Sequence, residues 1–220
     1  MAIAKPKIGL LARTIHDRGA LLLRPLGRLV TDLEITGSVP PGPAVLAANH
    51  FSFLDPVFVG IATDRFTRYL ALDELYGRTR FFDWLTLNLG AIPMSRDRAP
   101  LGAMRQALRT LEDGGLVCLF PEGRRVREWA ENPPKRGAAW LAMRAGVPLV
   151  PIAISGTEVI WPVDADRVRR GPVRIWVGEG LEPNDYLDRA DPTTAMMDDW
   201  FDWMNDHLTW VGRPGKEESA

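Results

Sequence analysis

A histidine and an aspartate that could act together lie five positions apart, His50 and Asp55, in the stretch NHFSFLDP. A neutral imidazole can take a proton from a hydroxyl group near pH 7. A carboxylate on its other ring nitrogen fixes the tautomer and stabilises the imidazolium. Pro56 disfavours helical backbone at Asp55, so residues 50–55 are predicted to form a turn that brings the two side chains together. The alternative is that Asp55 or Ser52 only caps a helix beginning near Pro56.

A second candidate is FPEGRR, residues 120–125, which follows an apolar run directly. Gly123 permits a tight turn and close approach of a ligand to the backbone. Arg124 and Arg125 suit a phosphate group, because a planar guanidinium binds two oxygens at once. GAIPMSR places Arg96 after another apolar run, so Arg96 and Arg125 could clamp one phosphate. The alternative is a surface turn with a glutamate–arginine pair.

Other chemistries find little support in the sequence. Cys118 is the single cysteine, which excludes an internal disulfide, and its apolar neighbours predict a small core residue. His16, His50 and His207 match no zinc spacing, so no metal is expected. The chain has no G-x-S-x-G elbow of a serine hydrolase. The GEG at 178–180 lacks the third glycine of a dinucleotide-binding motif.

Short apolar runs alternate with helix-like segments along the chain. This order is typical of an α/β fold with a largely parallel twisted sheet flanked by helices. The runs are 33–36, 44–49, 68–72, 90–94, 116–120, 148–154 and 173–177, and the helical segments are 56–63, 74–88, 98–113, 135–146 and 193–211. In such sheets ligands bind beyond the carboxyl ends of strands, which is where His50 follows its run.

The last helical segment is predicted to begin with a cap at Thr193 or Thr194. Its apolar positions recur at helical spacing, which favours packing over a ligand site. These positions are Met197, Trp200, Phe201, Met204 and Leu208.

Charge is uneven along a chain whose net charge is −1. Residues 1–30 carry six basic residues against one acid, and residues 181–220 carry ten acids against three bases. The first segment is predicted to be a basic amphipathic helix, which suits an anionic membrane face or the edge of its own domain. We expect one domain at 31–212 and a flexible tail at 213–220. No apolar run is long enough to span a bilayer, which predicts a cytoplasmic protein, peripheral on the inner face of the membrane.

Four stretches in this order resemble the four blocks of the glycerophospholipid acyltransferases: NHFSFLDP, GAIPMSR, FPEGRR and VPLVPIAISG. The closest resemblance is to the 1-acylglycerol-3-phosphate O-acyltransferases. The lead-in LEITGSVPPGPAVLAANH and the later PKRGAAWLA extend the similarity to about residues 33–180. The resemblance implies a glycerol-3-phosphate acyltransferase-like fold, with 31–212 as the acyltransferase domain.

The resemblance also implies a reaction and its residues. A fatty acyl group would move from acyl-CoA or acyl carrier protein to a hydroxyl of 1-acylglycerol 3-phosphate, with no acyl-enzyme, metal or further cofactor. His50 would be the general base and Asp55 its orienting partner. A membrane surface is an expected partner and nucleic acid is not. The implied substrate-binding residues are Asn49, Arg96, Glu122, Gly123, Arg124, Arg125 and Pro151.

Two positions depart from the family pattern. Arg124 stands where relatives usually have threonine, and Leu72 stands where they often have lysine. Both departures leave the acceptor open, so glycerol 3-phosphate or another lyso-lipid is an alternative. A catalytically silent lipid-binding protein of the same fold is a further alternative.

Overall fold

The computed structural model describes residues 31–72, 90–94, 101–162 and 167–208. Its strands within these ranges are β1 (Leu33–Thr36), β2 (Ala44–Ala48), β3 (Thr67–Leu72), β4 (Ile92–Met94), β5 (Leu116–Leu119), β6 (Leu149–Ser155) and β7 (Val173–Val177). Its helices are α1 (Asp55–Thr63), α2 (Leu101–Glu112), α3 (Gly137–Ala145), α4 (Thr157–Ile160) and α5 (Pro192–Leu208), with a 3₁₀ turn at Pro183–Tyr186. The predicted segments 1–30, 74–88 and 213–220 lie outside the described residues.

The strands form one sheet in the order β1-β7-β6-β2-β5-β3-β4. Every neighbouring pair is parallel except β6 and β7. The prediction of a largely parallel sheet flanked by helices is therefore confirmed. β2 lies between β5 and β6 and is parallel to both, so the carboxyl ends of these three strands meet at the same edge of the sheet.

The core has two apolar layers, one on each face of the sheet. Alternate residues of β2 belong to different layers, as the two-residue period of a strand requires. One layer packs against α2, α3 and α5, and the other packs against α1 and α4. Both β2 and β6 are buried along their whole length, which explains why their sequences are almost continuously apolar.

Two packing predictions are confirmed in this core. Trp200 is completely buried, and its indole N–H donates a hydrogen bond to the carbonyl oxygen of Ala47 at 3.0 Å. Trp200 thus packs α5 against the central strand β2. Cys118 is also completely buried, and burial raises the pKa of its thiol far above the usual range, as expected of a core residue.

The cap of α5 differs from the prediction. Asp191 precedes the helix, its carbonyl accepts the amide of Ala195, and its carboxylate accepts the amide of Thr194 at 3.1 Å. The hydroxyls of Thr193 and Thr194 donate to the same carboxylate, so they support the cap and do not form it. These hydrogen bonds lower the pKa of Asp191 to about 2. Pro192 then suits the first helical position, where no amide hydrogen is needed.

No helix within the described ranges is both long enough and apolar enough to cross a bilayer.

The short helix α4 and the 3₁₀ turn were not predicted, because neither is long enough to show a helical period in the sequence.

Candidate active site

His50 and Asp55 meet in a tight turn between β2 and α1. The Nδ1 atom of His50 lies 2.9 Å from Oδ2 of Asp55. The same oxygen accepts the backbone amides of Phe51 and Ser52, each at 2.7 Å. Three donors from one turn therefore converge on one buried carboxylate oxygen. Asp55 is not a helix cap, because the cap position falls on Leu54 and no side chain hydrogen bonds there.

The carboxylate decides which nitrogen of the His50 ring can act. An ionised carboxylate only accepts hydrogen bonds, so Nδ1 carries the proton and Nε2 keeps its lone pair. The ring stacks on Phe120 with 4.1 Å between centroids and 20° between planes, which holds its orientation. Asp55 is completely buried, whereas the His50 side chain keeps 18% of its exposure. A substrate hydroxyl could thus reach the ring but not the carboxylate.

Asn49 supports this turn from below. Its side-chain amide donates to the carbonyl of Ile154 at 2.8 Å and accepts the amide of Ile154 at 2.7 Å. An amide side chain reproduces a peptide group, so Asn49 continues the pairing of β2 with β6 beyond the end of β2. We predicted substrate contact for Asn49. Its complete burial and these two bonds give it a framework position instead.

Ser52 ties the turn to the segment that follows β6. Its hydroxyl donates to the carbonyl of Trp161 at 2.9 Å and accepts the amide of Leu54 at 3.2 Å. The second bond is local and belongs to the turn, whereas the first crosses to the other side of the site. Ser52 is therefore a connecting residue, and the sequence showed no sign of its partner.

Glu122 lies behind His50 and not in a position to meet an anion. Its Oε1 atom accepts the backbone amide of His50 at 3.1 Å, and only 5% of the residue is exposed. The pKa of Glu122 is raised to about 8: burial raises it most, backbone hydrogen bonds lower it, and the charge of Asp55 also raises it. We predicted that Glu122 holds the acceptor. A buried acid that accepts the amide of His50 supports the turn at residues 50–55 and has no exposed group with which to hold an acceptor.

Glycine is required at position 123 for two reasons: the backbone has a positive φ angle, and the side chain of Lys135 packs where a β-carbon would lie. Its φ angle is +71°, a conformation that glycine adopts without strain. A β-carbon at this position would lie 2.6 Å from Nζ of Lys135. The amide of Lys135 also donates to the carbonyl of Pro121 at 2.8 Å. We did not predict Lys135 as a site residue, although it lies in the stretch PKRGAAWLA, which forms part of the family resemblance.

The arginines of the same turn point to different partners. The guanidinium of Arg125 lies over the ring of Phe53, 3.4 Å from its centroid, and so stands beside the catalytic turn. Arg124 instead donates to Glu131 at 3.0 Å and to Asn132 at 3.1 Å. Arg125 therefore lies beside Phe53 in the turn at residues 50–55, whereas Arg124 is paired with residues of its own loop. Arg96 lies outside the described residues.

Pro151 does not line the site. It lies within β6, buried, where it pairs with Ala47 in the middle of the sheet. Its carbonyl accepts the amide of Gly178 at 2.9 Å, and a β-carbon on that glycine would lie 2.7 Å from the proline ring. We predicted that Pro151 shapes the substrate pocket. Its contacts are those of a packing residue.

The site therefore brings an imidazole and two basic side chains to one region of the fold. Parallel strands bring His50 and the turn 120–125 to one edge of the sheet, with the segment 156–161 on the other side. The ring of His50 can accept a proton from a hydroxyl, and Arg125 and Lys135 can attract an anionic group near it. In the described part of the chain, no group of histidine, cysteine or acidic side chains is arranged to hold a metal ion.

Comparison with known families and curated proteins agrees on one group. A family model described as acyltransferase matches residues 32–155. A chloroplastic protein named 1-acyl-sn-glycerol-3-phosphate acyltransferase BAT2, from Brassica napus, is 27% identical over 166 residues, which cover 73% of this chain and 46% of that protein. A 1-acyl-sn-glycerol-3-phosphate acyltransferase of Bacillus subtilis is 26% identical over 143 residues, which cover 64% of this chain and 68% of that protein. The chain spans about half the length of the first relatives it matches, 46% in one and 57% in another.

One solved structure resembles the whole described fold. It is the crystal structure of the 1-acyl-sn-glycerophosphate acyltransferase PlsC from Thermotoga maritima, with a TM-score of 0.71 and 19% sequence identity. The match covers 92% of this chain and 81% of that chain. At this identity the likeness concerns the fold.

Proposed function

The chain belongs to the acyltransferase family, and on that premise we propose that it moves a fatty acyl group from acyl-CoA or acyl carrier protein to the hydroxyl of 1-acylglycerol 3-phosphate, giving phosphatidic acid. Several relatives are named for this acceptor. The observation that carries the proposal is the 2.9 Å contact between Nδ1 of His50 and Oδ2 of Asp55, which leaves Nε2 as the base.

The proposed reaction is a direct transfer. Nε2 of His50 takes the hydroxyl proton as the acceptor oxygen attacks the thioester carbon. The carbonyl oxygen becomes an oxyanion, and the tetrahedral intermediate then expels the thiolate. The thiolate takes the proton from the imidazolium, so base and charge are restored. Asp55 stabilises the imidazolium while it exists, and general base catalysis of this kind contributes about 10² to 10⁴-fold.

The cations beside the turn support an acceptor that carries a phosphate. Arg125 stacks on Phe53, within the catalytic turn itself, and Lys135 crosses the neighbouring Gly123. A fork-shaped guanidinium binds two phosphate oxygens, and an ammonium adds a compact charge. Neither Arg124, which is paired with Glu131, nor the buried Glu122 is assigned to the acceptor.

The catalytic test is thiol release from acyl-CoA with 1-acylglycerol 3-phosphate as acceptor, using wild type, His50→Ala and Asp55→Asn. We expect both variants to lose at least about 10²-fold in kcat, because the base or its orienting partner is removed. His207→Ala is the matched control, since His207 hydrogen bonds to the carbonyl of Trp203 on α5. Equal background rates in wild type and His50→Ala would support the silent lipid-binding protein and end the proposal.

The acceptor test compares 1-acylglycerol 3-phosphate and glycerol 3-phosphate with a phosphate-free lyso-lipid. We expect Lys135→Met to raise KM for the preferred phosphorylated acceptor about 10 to 100-fold, the range for losing one charged hydrogen bond. Arg136→Met is the control, because Arg136 pairs with Asp191 at 2.9 Å. Acylation of the phosphate-free lipid alone would exclude the proposed acceptor, and equal effects of the two variants would remove Lys135 from the site.

A further inference from the structure

The segment after β6 presents apolar and basic side chains together at the surface. Val159 is 56% exposed and Val168 is 52% exposed. The amide of Arg169 donates to the carbonyl of Ile160 at 2.8 Å, so the two valines flank the same hydrogen bond. A single exposed valine is ordinary, whereas two in segments that a backbone hydrogen bond joins can form a local apolar surface.

Three arginines lie next to Val168 in the chain, and all are exposed: Arg167, Arg169 and Arg170. The acid on α4, Glu158, is turned inward, and its carboxylate accepts the amide of Gly156 at 2.8 Å. Burial raises the pKa of Glu158. Asp164 and Asp166 lie outside the described residues. The contribution of the arginines is therefore tested separately from that of the valines.

The surface is continuous with the rim of the site. Trp161 follows α4 directly, and its carbonyl accepts the hydroxyl of Ser52 in the catalytic turn. The rings of Trp161 and Phe53 lie 5.6 Å apart at an angle of 52°. Aromatic rings of this kind favour the boundary between lipid and water. A binding partner that contacts the two valines would therefore lie close to Phe53 and His50.

We propose that Val159, Trp161, Val168, Arg169 and Arg170 form a docking surface for an anionic lipid bilayer, here called the rim surface. Exposed aliphatic side chains enter the headgroup region, and arginines attract anionic headgroups. The proposal rests on the proposed function in one respect, since a lyso-lipid acceptor resides in a membrane. A docked rim surface would let the acceptor reach His50 without crossing water.

The test uses an environment-sensitive fluorophore on single engineered cysteines, Val159→Cys and Val168→Cys, in the full chain. The one native cysteine, Cys118, is completely buried, so labelling is selective. Leu187→Cys is the matched control: it is 61% exposed, and its neighbour Tyr186 belongs to the apolar layer on the opposite face of the sheet. Vesicles of phosphatidylcholine, with or without phosphatidylglycerol, are added to each labelled protein.

We expect blue-shifted, brighter emission at positions 159 and 168 with the anionic vesicles, and none at position 187. Added Arg169→Gln and Arg170→Gln should raise the anionic lipid concentration for half-maximal response about 30-fold. Arg144→Gln, an exposed cation on α3, should leave it unchanged. An equal response to both vesicle types would overturn the role of the arginines.

Two further outcomes would overturn the proposal itself. Silent probes at 159 and 168 on a protein that still sediments with the vesicles would place docking elsewhere. An equal response of all three probes would show non-specific adsorption. Thiol release with a detergent-dispersed acceptor is measured on the same labelled proteins and on unlabelled wild type. Activity that persists beside silent probes refutes only the rim surface, whereas loss of all activity in wild type refutes the proposed reaction.

Discussion

Replacing Glu122 by glutamine should reverse the order of stability between variant and wild type as pH rises. The carboxyl group ionises with a pKa of 4.5 when free and of about 8 in the fold, because burial disfavours the charged form. Between these values the folded protein binds more protons than the unfolded chain, so stability falls as pH increases. At 1.36 kcal/mol for each pKa unit, the interval corresponds to about 5 kcal/mol.

Glutamine has no such dependence, but it carries its own cost. Its carbonyl oxygen can still accept the amide of His50, as Oε1 of Glu122 does. Its NH₂ group would take the place of Oε2, a buried atom that meets no hydrogen-bond partner within the described residues, and would carry two hydrogens there where the neutral acid carries one. Leaving a buried donor unpaired costs about 1–3 kcal/mol at every pH. We therefore expect the variant to be less stable near pH 5 and more stable, by roughly 2–4 kcal/mol, near pH 9.

The assay is urea unfolding of both proteins at intervals from pH 5 to pH 9, with Glu131→Gln as the control. Glu131 lies at the surface beside Arg124, so its variant should keep a nearly constant difference from wild type. A constant difference for Glu122→Gln would mean that the acid is ionised in the fold throughout this range, and the reasoning from burial would be refuted.

The same variant separates positioning from substrate contact. A residue that only holds the His50 backbone should change kcat and leave KM for the acceptor nearly unchanged. A KM raised about tenfold with kcat retained would instead show that Glu122 touches the acceptor, as we predicted from sequence.

Three further changes test other parts of the structure. Gly123→Ala should lower the free energy of unfolding by about 1 kcal/mol and also raise the acceptor KM, because the new β-carbon displaces Lys135. Gly146→Ala is the control, since Gly146 has the same positive φ but a β-carbon there would meet nothing within 4 Å. Its unfolding curve should show a similar loss of stability, while its acceptor KM stays unchanged. Asn49→Ala should cost about 3 kcal/mol or more by urea unfolding, since it leaves two backbone groups of β6 unpaired; a loss below about 1 kcal/mol would contradict the bridging role. Asp191→Ala should lower the melting temperature at neutral pH. The difference in melting temperature from wild type should shrink as pH falls from about 4 towards 2, because the capping carboxylate has a lowered pKa in the fold. A difference that is independent of pH would exclude the cap.

Much of the fold followed from local patterns. The apolar runs at 44–49 and 116–120 are short and unbroken, as expected of strands that are buried on both faces, and both proved to be central strands of the sheet. Alternation of runs and helical segments predicted the parallel sheet, because parallel strands require crossovers. The pairing of His50 with Asp55 was likewise predictable from their short spacing, but Pro56 does not keep Asp55 out of the helix as we expected, because Asp55 is the first residue of α1.

The roles of the neighbouring residues were not predictable in the same way. Asn49, Glu122 and Pro151 were all predicted to touch substrate, yet their side chains contact β6, the His50 backbone and the Gly178 region. Each contact joins positions tens to more than a hundred residues apart, so no local spacing encodes it. Lys135 was missed for the same reason, because only the folded turn brings its ammonium over Gly123.

The amino-acid sequence alone therefore determined where the strands lie, that they run mostly parallel, and that a histidine faces an aspartate across one turn. These features depend on hydrophobic period, proline and short-range geometry, which are properties of neighbouring residues. Tertiary structure alone decided which polar side chains are buried as supports and which remain open to a ligand. Burial and charge depend on what packs above a residue, and at this site that packing comes from β5, β6 and the segments that follow them.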